Sequence, residues 1–177
     1  KSPDEKSVPN YRQYIYWLKQ QDNNAAKAFW QKQLAGFTAP TPIGSKPSNP
    51  HPQRPSHPSD HKAPEYKTEV FSLSAEQTQT LKSFVRQHQL TLSNLIQGAW
   101  ALLLSRYSGE SNVVFGTTVA GRPASLAAVE SMVGLFINTL PMRIEIDSSA
   151  PLIPWLKEIQ AKQLQLDEYA YTPLVEL

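Results

Sequence analysis

A proline-rich stretch at 38–64 interrupts this chain and confines its regular structure to the segments on either side. The stretch holds eight of the fifteen prolines and three of the four histidines, with almost no apolar side chains. Because proline fixes its own backbone dihedral and lacks an N–H, this density excludes a helix or a central strand. The sequence therefore predicts an extended surface linker. A helical segment at 10–37 precedes it, and a longer unit at 65–177 follows.

The segment before the linker has the periodicity of an amphipathic helix. Tyr11, Tyr14 and Leu18 fall on one helical face, and the apolar pattern resumes further along the chain. We therefore expect a helical region from residue 11 to residue 35, with a break near 22–25.

The unit after the linker alternates between strand and helix patterns. Strands are predicted at 66–73, 112–119 and 140–146. A helix begins at the capping-box pattern of Ser74 and Gln77, and further helices are predicted at 92–107 and 151–167. Strands separated by helices indicate an α/β fold. The predicted architecture is a two-layer sandwich of a mixed β-sheet with helices.

Three of these elements also carry a prediction of burial. The nearly continuous apolar run at 112–119 predicts a strand that is buried on both faces. The strand at 140–146 alternates, which predicts one buried face made by Leu140, Met142, Ile144 and Ile146. The inward face predicted for the helix at 92–107 consists of Leu95, Ile96, Ala99, Leu102 and Leu103.

Charge and composition argue against several classes of protein. The formal net charge is only +2 and basic residues are scattered, whereas a nucleic-acid-binding protein usually shows a basic stripe. The absence of cysteine removes disulfides, thiolate metal sites and a cysteine nucleophile, and fits a cytoplasmic location. The longest apolar run, AWALLL at 99–104, is far shorter than the roughly 20 residues of a membrane span.

Candidate catalytic and metal sites are sparse. His57 and His61 in HPSDH are spaced i, i+4, but the surrounding prolines forbid the helix that would place them on one face. No metal site is therefore predicted. The sequence also lacks a glycine-rich phosphate loop and a nucleophile elbow, so it contains no complete catalytic constellation.

Three stretches carry a resemblance to a known family. YRQYIYWLKQQ at 11–21 resembles a Tyr-x-x-Tyr-x-x-Trp motif, and VGLFINTLPMR at 133–143 closely resembles a Gly-x-Phe-(Val/Ile)-Asn-Thr motif. DEYAYTPLVEL at 167–177 resembles a later motif that contains Pro and Glu, and the segment at 90–123 is near the same family's consensus. In this order, the stretches resemble the condensation domains of non-ribosomal peptide synthetases. The resemblance covers most of 10–177 apart from the linker.

This resemblance implies a fold and an activity. The fold is one lobe of a chloramphenicol-acetyltransferase-like structure, in which two α/β lobes enclose a tunnel. The activity is amide formation between a donor acyl or peptidyl thioester and an acceptor aminoacyl thioester. No cofactor is bound directly, because carrier proteins present both substrates on phosphopantetheine arms. The implied partners are the N-terminal lobe of the same domain, the donor and acceptor carrier proteins and an adjacent adenylation domain, without nucleic acid or membrane.

The family's catalytic stretch is absent from this chain. His-His-x-x-x-Asp-Gly lies upstream of the aromatic motif in the family, and this sequence has no adjacent histidine pair. The chain also starts without an initiator Met, so we expect a C-terminal part of a condensation domain that is inactive alone. A non-catalytic lobe that docks carrier proteins and part of an epimerization domain are alternatives. The Asn-Thr-Leu-Pro run at 138–141 favours condensation over epimerization.

The site residues implied by the resemblance support the tunnel rather than perform the chemistry. They are Asn138, Thr139, Gly134, Phe136, Arg122 and Arg143, while Pro173 and Glu176 belong to a crossover between the lobes. The amide of Asn138 offers two donors and one acceptor, which suits orienting a thioester carbonyl or a pantetheine amide. The competing interpretation is that Asn138 and Thr139 only hold a turn before the strand. Arg122 faces the tunnel or bridges the two lobes, or it is a solvated turn arginine. Ala120 replaces the family's usual serine before Gly-Arg, which argues against a hydroxyl role there.

Overall fold

The computed structural model describes residues 10–43 and 68–176. Five α-helices and two strands form this part: α1 Arg12–Lys19, α2 Asn23–Gln33, α3 Ala75–Gln87, α4 Leu92–Ser108, β1 Asn112–Val119, β2 Asn138–Glu145 and α5 Leu152–Glu168. Short 3-10 helices lie at Val129–Ser131 and Leu174–Glu176. The predicted α/β class is confirmed. Most of the predicted linker at 38–64 and the HPSDH stretch lie outside the described residues.

The first helical region is divided, as the sequence predicts. The side chain of Asp22 accepts hydrogen bonds from the backbone N–H groups of Asn24 and Ala25. A carboxylate in this position satisfies N–H groups that have no partner within the helix, so a new helix begins directly after it. The break therefore separates α1 from α2, and each helix is free to pack in its own direction.

Capping boxes begin both α3 and α4. The predicted pair is confirmed, since the Ser74 hydroxyl accepts from the Gln77 N–H and the Gln77 side chain accepts from the Ser74 N–H. Thr91 and Asn94 form a second capping box at the start of α4. Gly109 ends α4 with a φ of 78°, which is the left-handed conformation that glycine adopts without strain.

The predicted strand at 66–73 is wrong over its described residues. Residues 68–73 form no strand, and Val70 and Phe71 are 83% and 89% exposed. An alternating pattern makes a strand only where a neighbouring strand supplies hydrogen bonds. Within the described ranges, β1 pairs with β2 and neither strand pairs with this stretch.

The strands β1 and β2 form an antiparallel pair in which Val113 lies opposite Ile144 and Thr117 lies opposite Leu140. The prediction that 112–119 is buried on both faces is wrong. Alternate side chains such as Val113 and Thr117 are buried, whereas Gly116 is exposed. The apolar run at 112–119 therefore does not show which faces of the strand are buried, because helices cover one face of this strand much more fully than the other.

Burial on β2 follows the sequence closely. Leu140, Met142 and Ile144 are buried as predicted, and Ile146 is half-buried just beyond the end of the strand. These side chains pack with α4 and α5 in the main core, where Leu156 and Ile159 of α5 are also buried. The main core therefore lies between the strand pair and two helices.

Of the inward face predicted for α4, only Leu95 packs against the main core, where it is half-buried, and the rest of the prediction is wrong. The buried residues are Asn94, Gln97, Gly98, Ala101 and Leu104, while Ile96, Trp100, Leu102 and Leu103 are exposed. The helix is apolar on nearly all sides, so the apolar period alone cannot select the face that packs. Gly98 contributes to the choice of face, because a Cβ there would lie 2.6 Å from Leu156 Cδ2 of α5. The missing side chain lets α4 and α5 approach closely at this point.

A polar network accompanies this close packing. The Gln97 amide nitrogen donates to the Thr117 hydroxyl at 3.1 Å and to the Gln163 side-chain oxygen at 2.9 Å. These bonds join α4, β1 and α5. Because a buried amide must be satisfied to avoid a large desolvation cost, the network fixes how the three elements fit together.

Candidate functional site

The three motif stretches meet in one place, which we call the motif junction. It consists of α1, the loop at 120–137 and the segment at 169–172. A second core cluster forms its centre, with Tyr14 of α1 buried against Val129, Met132 and Phe136 of the loop. Trp17 adds an edge-to-face contact with Tyr171 at 5.8 Å between ring centroids. Segments that are far apart in sequence therefore form a single packed unit.

Tyr11 and Gly134 fit each other closely. A Cβ on Gly134 would lie 2.1 Å from Tyr11 Cδ2, so the aromatic ring occupies the space that any other residue would fill. The Tyr11 hydroxyl also donates a hydrogen bond to the Leu135 carbonyl, and its ring packs edge-to-face on Phe136. Gly134 therefore has a steric role toward α1, whereas the sequence interpretation gives it a role toward the substrate tunnel.

The Arg122 side chain binds backbone carbonyls and an aromatic ring of the loop at 120–137. Its guanidinium donates to the carbonyl of Val129, and both terminal nitrogens donate to the Met132 carbonyl at 3.2 Å. The guanidinium carbon also lies 4.0 Å from the centre of the Phe136 ring, which is a cation–π geometry. Arg122 is half-buried in this position. The description of a solvated turn arginine does not fit these contacts.

We expect Arg122→Lys in the intact domain to lower the free energy of unfolding by about 2 kcal/mol. Lysine keeps the charge but cannot reach two carbonyls and stack on Phe136 at the same time. Chemical denaturation followed by fluorescence measures the change. Arg106→Lys, at an exposed position on α4, is the matched control and should have little effect. Equal stability of the two variants would contradict the role of Arg122.

Asn138 joins the loop to the segment at 169–172. Its amide nitrogen donates to the carbonyls of Ala170 and Thr172, both at 2.8 Å, and its side-chain oxygen accepts from the Thr139 N–H at 2.9 Å. All three hydrogen-bonding functions are therefore engaged within the chain. This geometry favours a positioning role for Asn138 over direct donation to a substrate.

The loop presents an apolar row on the side that faces away from α1. Val133, Leu135 and Ile137 are 82%, 75% and 65% exposed, and they alternate with Gly134 and the buried Phe136. Backbone that alternates in this way presents one row of side chains to the packed side and the other row to the surroundings. For so short a segment, the row is a large exposed apolar surface, of the kind that marks a site of interaction.

A cleft of about 550 Å³ lies beside the junction. Its walls come from α1, from the turn that follows β1 and from the C-terminal end of α5, and they include Trp17, Gln21, Ser125, Asp167 and Tyr171. Burial raises the pKa of Tyr171, with Tyr169 as a further cause, and burial also raises the pKa of Tyr14. Both phenols therefore stay protonated at neutral pH and act as neutral groups in this region.

The remaining predicted residues lie at different distances from the junction. Thr139 follows Asn138 on β2, and its methyl group lies close to Gly116. Pro173 and Glu176 are exposed and belong to the 3-10 helical turn that follows Thr172. Thr172 itself is buried, and its hydroxyl has no hydrogen-bond partner among the described residues.

Arg143 is separate from the other predicted residues. It lies five positions after Asn138 on β2, a distance of about 16 Å along an extended strand. Its guanidinium donates to the Asn112 side chain and to the carbonyls of Gln33 and Ala35. Arg143 therefore fastens the C-terminal end of α2 to the sheet, and the structure does not bring it to the motif junction.

The chain matches known proteins in both sequence and fold. The family model described as "Condensation domain" matches residues 1–177. The chain belongs to the condensation-domain family. It is 48% identical to one component of the linear gramicidin synthase of Brevibacillus parabrevis, over 97% of this chain and 3% of that protein. It is 44% identical to the chondramide synthase of Chondromyces crocatus, over 96% of this chain and 4% of that protein.

A solved condensation domain has the same fold. The first condensation domain of the CDA synthetase matches with a TM-score of 0.71 at 16% identity, over 94% of this chain and 34% of that chain. The predicted chloramphenicol-acetyltransferase-like fold is confirmed by this likeness. This condensation-domain chain thus spans about a third of the solved domain and a small fraction of the curated relatives.

Neither a membrane-spanning helix nor a metal-binding cluster occurs in the described part of the condensation-domain chain. No helix in the described ranges is both long and apolar enough to cross a membrane. In residues 10–43 and 68–176 there is no group of three or more His, Cys, Asp or Glu side chains that could hold a metal ion.

Proposed function

We propose that this chain forms part of the wall of an amide-forming tunnel in a peptide synthetase. The donor is an acyl or peptidyl thioester and the acceptor is an aminoacyl thioester. Each is attached to a phosphopantetheine arm presented by a carrier protein. The observation that carries the proposal is the exposed row of Val133, Leu135 and Ile137 on a loop that Asn138, Arg122 and Tyr11 hold in place.

The chain's own residues serve positioning in this proposal. Holding two tethered reactants in one geometry supplies roughly 7–11 kcal/mol toward the barrier, which is enough to make rigidity of the wall matter. Asn138 and Arg122 fix the loop backbone from two directions, so the apolar row has a defined position. An apolar wall also excludes water, which would otherwise compete with the acceptor amine for the thioester.

In this proposal, the proton of the acceptor amine is taken by a group outside this chain. Asn138 is fully engaged, and the buried phenol of Tyr14 has a raised pKa. We propose that the His-His-x-x-x-Asp-Gly stretch of the N-terminal lobe supplies this function. The chain therefore needs its partner lobe, two carrier proteins and an adenylation domain that loads them.

We expect the 177-residue chain alone to form no dipeptide from two aminoacyl carrier proteins. The intact condensation domain should form it under the same conditions, as measured by mass spectrometry of the acceptor carrier. Dipeptide formation by the chain alone would contradict the proposal.

The same assay separates the two alternatives. An intact domain that binds carriers without forming an amide is a docking module. Inversion of the stereocentre of one carrier-bound residue, without amide formation, identifies an epimerization domain.

A further inference from the structure

The cleft beside the motif junction is lined mainly by apolar side chains. Trp17 and Tyr171 line it together and contact each other edge-to-face. The Trp17 indole N–H donates to the Ser125 hydroxyl at 3.2 Å, so the indole offers a ligand its apolar ring rather than a free donor. Ala120 and Leu164 add further apolar lining. The volume of about 550 Å³ lies within the range of sites that bind small molecules.

Acidic side chains dominate the charge of this cleft. Asp167 and Glu168 lie at the C-terminal end of α5 and both line it. Arg122 is the only basic residue among the described residues of the lining, and its guanidinium is already engaged with carbonyls of the loop and with the Phe136 ring. The cleft therefore presents more negative than positive charge to a group that enters it.

A polar network that continues into the core holds Asp167 in position. The Gln163 amide nitrogen donates to Asp167 Oδ1 at 2.8 Å, and the Gln163 side-chain oxygen accepts from the buried Gln97 at 2.9 Å. Gln97 also donates to the Thr117 hydroxyl of β1. Moving the Asp167 carboxylate away from the cleft would therefore break a charge-assisted hydrogen bond.

The cleft shares residues with the supports of the proposed tunnel wall. Arg122 lines the cleft and also binds the Met132 carbonyl of the loop that carries the apolar row. Asn138 follows that row and binds the carbonyl of Ala170, which is another residue of the lining. A substrate held against the row therefore has the cleft beside it.

We propose that the cleft receives the side chain of one of the two thioester-bound residues, and that it accepts an apolar side chain and rejects a carboxylate. This rests on the proposed function, since the residue is one that the tunnel wall holds. An apolar side chain gains by leaving water for the apolar lining. A carboxylate would lose water next to Asp167 and Glu168 without gaining a free positive partner, and this repulsion selects against it.

Two substrates of equal size test the effect of charge in an intact condensation domain. Single-turnover dipeptide formation is measured with glutamyl and glutaminyl carriers, first as acceptors beside a leucyl donor and then as donors beside a leucyl acceptor. We expect the glutamyl substrate to react about tenfold more slowly in one of the two arrangements. That arrangement identifies which of the two residues enters the cleft.

A charge variant and its control tie this discrimination to the cleft. Asp167→Asn keeps an oxygen that accepts from Gln163 and removes one negative charge. We expect it to raise the ratio of glutamyl to glutaminyl rates about threefold in the discriminating arrangement. Glu158→Gln removes a charge from an exposed position of α5 that does not line the cleft, and it should leave the ratio unchanged.

Filling the cleft gives a second, independent reading. Ala120→Leu adds bulk at an exposed position of the lining, and Ala127→Leu adds the same bulk at an exposed position outside it. We expect Ala120→Leu to lower the ratio of leucyl to alanyl rates about tenfold in the same arrangement, and Ala127→Leu to leave that ratio unchanged.

The outcomes separate this inference from the proposed function. Equal glutamyl and glutaminyl rates in both arrangements, or rate ratios that the cleft variants do not change, would overturn the inference while dipeptide formation by the parent domain still supported the proposed function. Absence of dipeptide with every pair of substrates would overturn the proposed function and the inference with it.

Discussion

Turnover of an intact condensation domain is expected to fall about 100-fold when Asn138 is replaced by alanine. The substitution removes both donors that hold the carbonyls of Ala170 and Thr172, together with the acceptor of the Thr139 N–H. The loop that carries the apolar row then loses its attachment to the segment after α5. A displacement of about 1 Å in a positioning element is enough for a loss of this size. Single-turnover dipeptide formation from loaded carriers measures it directly.

Asn138→Asp is the matched control, because it keeps the side-chain shape and the acceptor for Thr139 but replaces two donors by a charge. We expect it to be at least as impaired as Asn138→Ala, since a carboxylate would face two carbonyl oxygens. The free energy of unfolding of Asn138→Ala is measured in parallel. Leaving the two carbonyls and the Thr139 N–H without partners should lower it by about 1–3 kcal/mol. Unchanged single-turnover rates combined with a lower melting temperature would show that Asn138 only stabilises the fold.

Gly121→Ala is expected to destabilise the intact domain by about 2–5 kcal/mol, through steric overlap added to backbone strain. The new Cβ would lie 1.8 Å from the Phe136 carbonyl oxygen, which belongs to backbone and cannot rotate away. Gly121 also has a φ of 63°, where an alanine is strained whatever its surroundings. The turn and the loop at 129–136 would have to separate. Urea denaturation of the variant and the parent domain gives the difference.

Gly109→Ala separates the two causes. Gly109 has a φ of 78°, but a Cβ added there would meet no heavy atom within 4 Å, so its substitution reports backbone strain alone. That strain costs about 1–2 kcal/mol. If Gly121→Ala cost no more than Gly109→Ala, the close approach between Gly121 and Phe136 would not be a feature of the folded protein.

Local signals in the sequence are sufficient for most helix boundaries. The Ser74–Gln77 capping box and Gly109 are predictable because each acts through bonds within a few residues of itself. The face of α4 is not predictable in this way. Its orientation depends on Gly98 meeting Leu156, a contact between residues 58 positions apart in the sequence. The strand predicted at 66–73 is not observed over 68–73 for a related reason. A strand forms only where another strand pairs with it, and the local pattern does not show whether such a partner is present.

The candidate site is likewise predictable from the sequence only in part. The motif at 134–139 is recognisable from the sequence alone, and its Phe136 lies in the core of the motif junction. The sequence does not indicate what each residue contacts. Arg122 donates to backbone carbonyls. Because every residue has a backbone carbonyl, the sequence does not indicate which ones Arg122 binds. The Asn138 amide nitrogen likewise donates to the backbone carbonyls of Ala170 and Thr172, which lie more than thirty positions away.

The contact between Tyr11 and Gly134 has a consequence for hybrid synthetases. The Tyr11 ring fills the space beside Gly134. A hybrid that takes the α1 segment from one parent and the loop at 129–136 from another therefore combines two surfaces that did not evolve to fit each other. A parent with a smaller residue in place of Tyr11 would leave a hole over Gly134, and a parent with a side chain in place of Gly134 would collide with the ring. Crossover points that keep α1, this loop and the segment at 169–172 from a single parent preserve the fit.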